Sequence, residues 1–330
     1  MSSRAAAFIT GGSGVVGRAL VRELVATGRE VRALGRSDAA RATVAELGAR
    51  PIPGDVESVD EMAAAMKGCD SVFHVAGVNA LCVSDPSNLF GVNVLGSLNV
   101  VTAAAKANVP RLIYTSSAST LGEKRGTVGH EGSTHRGYFL SEYERSKYEA
   151  EKVVVKAARE LGIEMVCVNP SSVQGPGRSG GTGRILVLYL RGRLKFFVRT
   201  QISVVDIDDC ARGHVLAESN GRAGQRYVLN SGTLPIQEAL AIVRRLAGRG
   251  PKAHLVPGPL AMVAATVAEV VARAMGRSPA VCREMVRTLL HGHTYDGSKA
   301  ERELGLRYTP VEVTLARTIR WLRSEGLVPD

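Results

Sequence analysis

The chain carries few cysteines, no long apolar run and no repeat, and each absence narrows what it does. Its five cysteines, Cys69, Cys82, Cys167, Cys210 and Cys282, are odd in number and form no CxxC or other ligand spacing. Reduced thiols in a cytoplasmic protein are the expectation, with no metal site. The longest apolar run, Leu255 to Ala268, is closed by Glu269 with Arg273 soon after, too short for a membrane span, and reads as a buried helix. The opening MSSRAAAFIT turns straight into a glycine motif, which fits neither a signal peptide nor an anchor. No basic block accompanies the net charge of +11. The densest stretch mixes Arg184, Arg191, Arg193, Lys195 and Arg199 with Leu, Val and Phe, and suits a solvated face or the rim of an anionic-ligand site better than a nucleic-acid arm.

What is present is a globular composition, 45% hydrophobic and 22% charged over 330 residues, ample for a large core. To about Asn169 short β-branched or apolar runs alternate with helical ones, the pattern of an α/β, Rossmann-type doubly wound parallel sheet. Six strands are expected, near Ala6–Thr10, Glu30–Leu34, Arg50–Ile52, Ser71–Val75, Arg111–Ser116 and Glu164–Asn169, with helices such as Val15–Thr27 and Asn88–Ala107 between them. After Pro170 the rhythm breaks. Residues 1–170 are therefore read as a nucleotide-binding domain and 171–330 as a smaller, mostly helical substrate lobe, with a strand near 202–207 expected to return to the main sheet.

The first strand runs into Thr10-Gly11-Gly12-Ser13-Gly14-Val15-Val16-Gly17 and then a helix, the context a dinucleotide fingerprint requires. Gly11 permits the tight turn, Gly14 lets the backbone approach a pyrophosphate and Gly17 packs helix on strand. The second strand ends Leu34-Gly35-Arg36, where a NAD enzyme usually offers an acid. A guanidinium there would fork onto a 2′-phosphate, so Arg36 favours NADP, while Asp38 can still reach a ribose and leaves NAD possible. Asp55, followed by Val56, serves either the adenine amino group or a helix N-cap.

Tyr143 and Lys147 stand four apart in a helical stretch, so both side chains share one face. A phenol near pKa 10 becomes an acid–base group at neutral pH only if a nearby cation stabilises the phenolate, roughly 4 kcal/mol for about three units. The fifth strand ends Tyr114-Thr115-Ser116-Ser117-Ala118, placing hydroxyls at the sheet edge where open α/β folds bind ligands. Ser117 can polarise a substrate oxygen while Tyr143 moves the proton. His74, at a strand end, reads as packed or cofactor-adjacent. His291 and His293 would face one ligand only on a strand, which their flanks do not favour.

These pieces together resemble an extended short-chain dehydrogenase/reductase, in the NAD-dependent epimerase/dehydratase superfamily. The matches run nearly the whole length in family order: TGGSGVVG at Thr10–Gly17, GDV at Gly54–Val56, HVAG at His74–Gly77, GVNVLGSLNV at Gly91–Val100, YTSSAS at Tyr114–Ser119, YERSK at Tyr143–Lys147, NPSSVQGPG at Asn169–Gly177, SVVDIDDCARGH at Ser203–His214 and SKAERELG at Ser298–Gly305. The dihydroflavonol-reductase and 3β-hydroxysteroid-dehydrogenase-like enzymes and the hopanoid-associated sugar epimerases resemble it best.

The resemblance implies Ser117, Tyr143 and Lys147 as catalytic residues with Asn93 in support. It implies a cofactor held by Gly11, Ser13, Gly14, Val15, Val16, Gly17, Arg36, Asp55, Val56, Val75, Ala76, Gly77, Thr115, Tyr143, Lys147, Pro170 and Val173. It also implies a homodimer through the helices near 88–107 and 141–161. Two departures narrow the chemistry. Ala118 and Ser119 stand where dehydratases carry an acid, and Ile202 stands where epimerases often carry a diphosphate-binding arginine. Reversible hydride transfer between a nicotinamide and a secondary alcohol or ketone follows, on a hydrophobic or alicyclic substrate if the run from Pro257 lines the pocket rather than the core. A sugar epimerase with retained NAD, and a non-catalytic NADP-binding sensor, are the alternatives.

Overall fold

The computed structural model describes residues 6–279 and 281–329, so the reading of the first five residues lies outside it. The first half runs β1 Ala6–Thr10, α1 Val15–Ala26, β2 Val31–Gly35, α2 Asp38–Glu46, β3 Arg50–Pro53, α3 Val59–Met66 and β4 Cys69–His74. Then come α4 Ser87–Phe90, a π-helical segment Gly91–Gly96, α5 Ser97–Lys106, β5 Arg111–Thr115, α6 Glu142–Glu160 and β6 Glu164–Pro170. The second half comprises β7 Ser172–Gln174, α7 Thr182–Leu190, β8 Phe196–Val198, β9 Gln201–Asp206, α8 Ile207–Asn220, β10 Arg226–Leu229 and β11 Gly232–Pro235. It closes with α9 Ile236–Ala247, β12 His254–Val256, α10 Gly258–Ala274, α11 Arg283–His291 and α12 Val311–Ser324.

Seven parallel strands form one sheet in the order β10-β6-β5-β4-β1-β2-β3. All five residues of β1 are buried, because alternate side chains feed opposite faces: Ala7 and Ile9 pack with Leu20 and Phe73, Phe8 with Met62 and Leu112. The strand order reverses between β1 and β4, and the crevice beyond their C-terminal ends is where such a sheet accepts a ligand.

Three expectations are corrected. The strand near 202–207 exists as β9, but it pairs with β7 and β11 in a separate small sheet, and β10 takes the place beside β6. Tyr227, Val228 and Leu229 are fully buried there, and the chain reaches that slot by a crossover through α8. The apolar run from Leu255 is not a buried helix either. In α10 only Ala265 and Glu269 are buried, since the helix packs on α11 along one narrow face. Finally, Cys82 and Cys282 form a disulfide (S–S 2.10 Å) joining the loop after β4 to the start of α11, while Cys69, Cys167 and Cys210 are free and buried. Partners 200 residues apart are brought together only by docking of the two halves, which residue spacing does not record. Thiol titration of the denatured chain is therefore expected to find three reactive thiols without reductant and five with it; five in both states would refute the bond. The five basic residues between 184 and 199 are all exposed.

Candidate active site

The glycine loop is built as a cradle. Gly11 sits at φ +73°, and a Cβ there would fall 2.5 Å from the Ala76 nitrogen; at Gly17 it would fall 2.0 Å from the Gly11 carbonyl. Both positions exclude a side chain, and Gly14 is the N-cap of α1, whose free N–H groups face the crevice mouth. The absence of side chains beside a helix N-terminus fits a dinucleotide pyrophosphate. Gly17→Ala is expected to weaken nucleotide affinity between about fivefold and a hundredfold through an overpacking cost of about 1–3 kcal/mol, read by nucleotide fluorescence titration; unchanged affinity would exclude this loop as the cradle.

One cavity of about 510 Å³ runs from this loop past Tyr143 to the second half of the chain. Gly11, Gly14, Val15, Val16 and Gly17 form one end, and Val75, Gly77, Thr115, Ser117, Tyr143, Lys147, Pro170 and Val173 continue its walls. Ser13, Arg36, Asp55, Val56, Ala76 and Asn93 do not line it. Ala76 instead backs Gly11, and Val56 is buried against Gly96. Arg36 is four-fifths exposed with its Nε 3.7 Å from Asp55, and Ser58 rather than Asp55 occupies the N-cap position of α3.

Asn93 lies in the π-helical segment that interrupts the long helix expected over 88–107. Its Oδ1 accepts from the Val78 N–H at 2.8 Å, and its Nδ2 donates to the Val78 carbonyl and to Ser146 Oγ at 3.0 and 2.9 Å. It thus ties the loop after β4 to α6. His74 is packed: it shares hydrogen bonds with Thr10 Oγ1 (2.6 Å) and Ser97 Oγ (2.8 Å), and burial, helped by the Lys147 charge, lowers its pKa to about 3.

Helix α6 starts where it does because Ser141 caps it, accepting from the Glu144 N–H at 3.0 Å while Glu144 accepts from the Leu140 N–H at 2.9 Å. That start places Tyr143 in the first turn and Lys147 one turn on. Lys147 Nζ donates to the Thr115 carbonyl at 2.8 Å and lies 4.9 Å from the Tyr114 ring centroid. Burial lowers its pKa to about 8. Burial raises the Tyr143 pKa, against the opposing pull of Ser117 and of the Arg178 guanidinium. Ser117 caps a short 3₁₀ turn, Ala118–Leu121, with its Oγ 2.9 Å from Ser119 Oγ.

Two residues at this site were not singled out from the sequence. Arg178, from the glycine-rich loop after β7, is a cation of the cavity wall acting on Tyr143; nothing in its local sequence points there. Glu151 lies beneath the wall. It accepts hydrogen bonds from Ser116, Thr120 Oγ1 (2.9 Å) and Asn169 Nδ2 (2.9 Å) and pairs with Arg226. It holds the ends of β5, β6 and β10 to α6. Tyr143, Lys147 and Glu151 follow an i, i+4, i+8 spacing, the signal that points to it.

A glycine cradle at a sheet's switch point, opening onto a half-buried tyrosine and a buried lysine, defines a nicotinamide-nucleotide-binding α/β fold. The pattern of the NAD dependent epimerase/dehydratase family matches residues 7–230, and the chain belongs to that family. It is 34% identical over 331 residues to a Synechocystis sp. protein assigned by name alone to the dihydroflavonol 4-reductases, covering 97% of this chain and 95% of the relative. It is 32% identical over 307 residues to a Stigmatella aurantiaca 4-hydroxy-2-methyl-3-oxo-4-farnesyl-3,4-dihydroquinoline-1-oxide ketoreductase, covering 90% of each. The solved structure of gox2253 superposes with a TM-score of 0.85 at 32% identity, over 98% of this chain and 99% of that one.

Proposed function

We propose that the protein is an NADP-dependent reductase of a largely apolar ketone, working reversibly on the corresponding secondary alcohol. The observation that carries this reading is the far end of the cavity. Beyond Tyr143 and Ser117 it is walled by Leu234, Ile236, Leu240, Val243, Leu289 and Leu315. The cations on its walls, among the described residues, are Lys147 and Arg178, and Ile202 stands where a nucleotide-sugar diphosphate would need another. The farnesylated ketone in the name of the Stigmatella relative points the same way.

In this reading Gly11, Gly14 and Gly17 receive the pyrophosphate, Arg36 turns from Asp55 to the 2′-phosphate, and Pro170 and Val173 cover the nicotinamide ring. The bound nicotinamide supplies or takes the hydride. Tyr143 Oη gives its proton to the substrate oxygen during reduction and recovers it during oxidation, while Ser117 Oγ donates a hydrogen bond to the same oxygen. Lys147 orients the ribose and, as a cation, favours the phenolate left behind.

Lys147 sets a pH window with two opposite signs. Its pKa falls from 10.5 unfolded to about 8 folded, so the unfolded chain binds more protons between these values and folding stability from this group rises with pH across that window. Catalysis that needs its charge does the reverse. The kcat/KM for NADPH is expected to decline above about pH 8, and Lys147→Met to remove that limb; a limb that survives the substitution belongs to another group.

Titration of the purified protein with NADPH and NADH, after checking for nucleotide already bound, tests the whole reading. Exchangeable NADPH that Arg36→Ala weakens selectively, followed by turnover of alicyclic or steroid-like ketones, supports it. NAD that survives dialysis points instead to an epimerase, and no binding of either nucleotide overturns hydride transfer.

A further inference from the structure

A cluster of three side chains that reaches the same cavity through His293 has no place in hydride transfer. α11 ends at His291, and Gly292, at φ +71°, reverses the chain so that His293 returns to the same side. The two rings come within 4.8 Å, centroid to centroid, without the strand that i, i+2 residues otherwise need. Glu123, just beyond the Gly122 turn, meets both: its Oε1 is 2.6 Å from His293 Nδ1 and 3.5 Å from His291 Nε2. Glu123 and His291 are 2% and 7% exposed, yet Glu123 Oε2 and His291 Nε2 reach no hydrogen-bond partner. Two buried polar atoms without partners, in side chains whose ligand atoms lie within 4.8 Å of one another, are costly unless something satisfies them.

We propose that Glu123, His291 and His293 bind one zinc-class divalent cation, with a fourth position toward the cavity that His293 and Tyr295 line. Two imidazoles and a carboxylate are the borderline donor set such ions take. Tetrahedral ligands about 2.0–2.1 Å from zinc stand about 3.3 Å apart, so the His291 contact already fits, the His293 contact need open by less than about 1 Å, and the two imidazole nitrogens, within 4.8 Å of each other, need close by at most about 1.5 Å. The site does not depend on the reductase reading. The full chain, stripped with EDTA, is titrated with Zn²⁺ by calorimetry and with Co²⁺ by absorption. The expected result is one ion per chain, a Co²⁺ spectrum without thiolate charge transfer, and a loss of affinity of about tenfold or more in Glu123→Gln and in His291→Asn. No stoichiometric uptake by the wild-type chain, or uptake that both variants leave unchanged, overturns the proposal.

A separate observation concerns α10, whose outward face is apolar. Leu260, Val263, Val267, Val270, Val271 and Met275 are each more than half exposed and follow the i, i+3, i+4, i+7 spacing of one helical stripe. The charges exposed on this hairpin are Arg273, Arg277, Arg283 and Arg287, while Glu269 is buried against Arg273 and Arg283 and Glu284 accepts from the Cys82 and Glu142 N–H groups. A second copy of the same face would set these arginines against each other, whereas an anionic surface complements them.

We infer that α10 lies flat on an anionic membrane, its valines in the acyl boundary and its arginines at the headgroups. Its neighbour α11 lines the apolar cavity through Thr288 and Leu289, which sets that cavity beside the bilayer. Co-sedimentation with phosphatidylcholine vesicles, with and without phosphatidylglycerol, tests this apart from any activity. Binding to the anionic vesicles, lost in Val263→Asp/Val267→Asp while the nucleotide affinity stays unchanged, is the expected result. No binding to either vesicle overturns it. So does a dimer, seen by light scattering, that the same double variant dissociates while vesicle binding persists.

Discussion

Replacing Tyr143 by Phe is expected to lower kcat by between about 10² and 10⁴ while leaving NADPH affinity within a few-fold. The substitution removes one oxygen from a half-buried side chain in a first turn whose position is fixed by the Ser141 cap and by the Glu144 carboxylate on the Leu140 N–H. Because the loss is of proton transfer and not of binding, it falls on kcat and kcat/KM together. Its companion Ser117→Ala removes a hydrogen bond to the same oxygen and leaves the proton donor in place, so a smaller loss is expected. A Tyr143→Phe enzyme that keeps a tenth or more of its turnover would remove the tyrosine from the chemistry and leave the fold with the role of a nucleotide-binding sensor.

The second large effect falls on stability. Glu151 is 4% exposed and holds Arg226 together with donors from the ends of β5 and β6 and from the 3₁₀ turn at Thr120. Glu151→Leu leaves the guanidinium and the Ser116 hydroxyl without their acceptor, while Asn169 and Thr120 keep the Ser117 carbonyl, a cost of about 3–5 kcal/mol by the precedent of broken buried pairs. Arg226→Met leaves the carboxylate, 6% exposed, with its neutral donors only, whereas the guanidinium left by Glu151→Leu is a quarter exposed and open to water, so a comparable loss is expected on either side. Urea unfolding of the two single variants and the double variant measures this. A double variant no less stable than Glu151→Leu alone shows that the pair acts as a unit, and additive losses show that Glu151 works through its neutral donors.

Much of this molecule is written locally. β1, α1 and the glycine turn lie within a few residues of where periodicity and punctuation place them, because strand alternation, helix period and the positive φ at Gly11 are properties of contiguous sequence. Tyr143, Lys147 and Ser117 were legible for the same reason: a helical i, i+4 pair and a strand end each need only their own segment. The interior of the long helix was less legible, since a π turn at Asn93 follows from what its carboxamide finds at Val78, a loop fifteen residues away.

The sequence by itself determined the α/β class, the glycine turn and the tyrosine–lysine pair on one helix, all of which depend on neighbours along the chain. The tertiary structure alone decided that β10 and not β9 completes the sheet, that Cys82 meets Cys282, and that Arg178 joins the cavity. It alone turned α10 outward and brought Glu123 to His291 and His293. Each of these is a meeting of residues far apart in sequence. Such meetings are set by which surfaces bury one another when the two halves dock, a choice made by packing over the whole fold and carried by no local pattern.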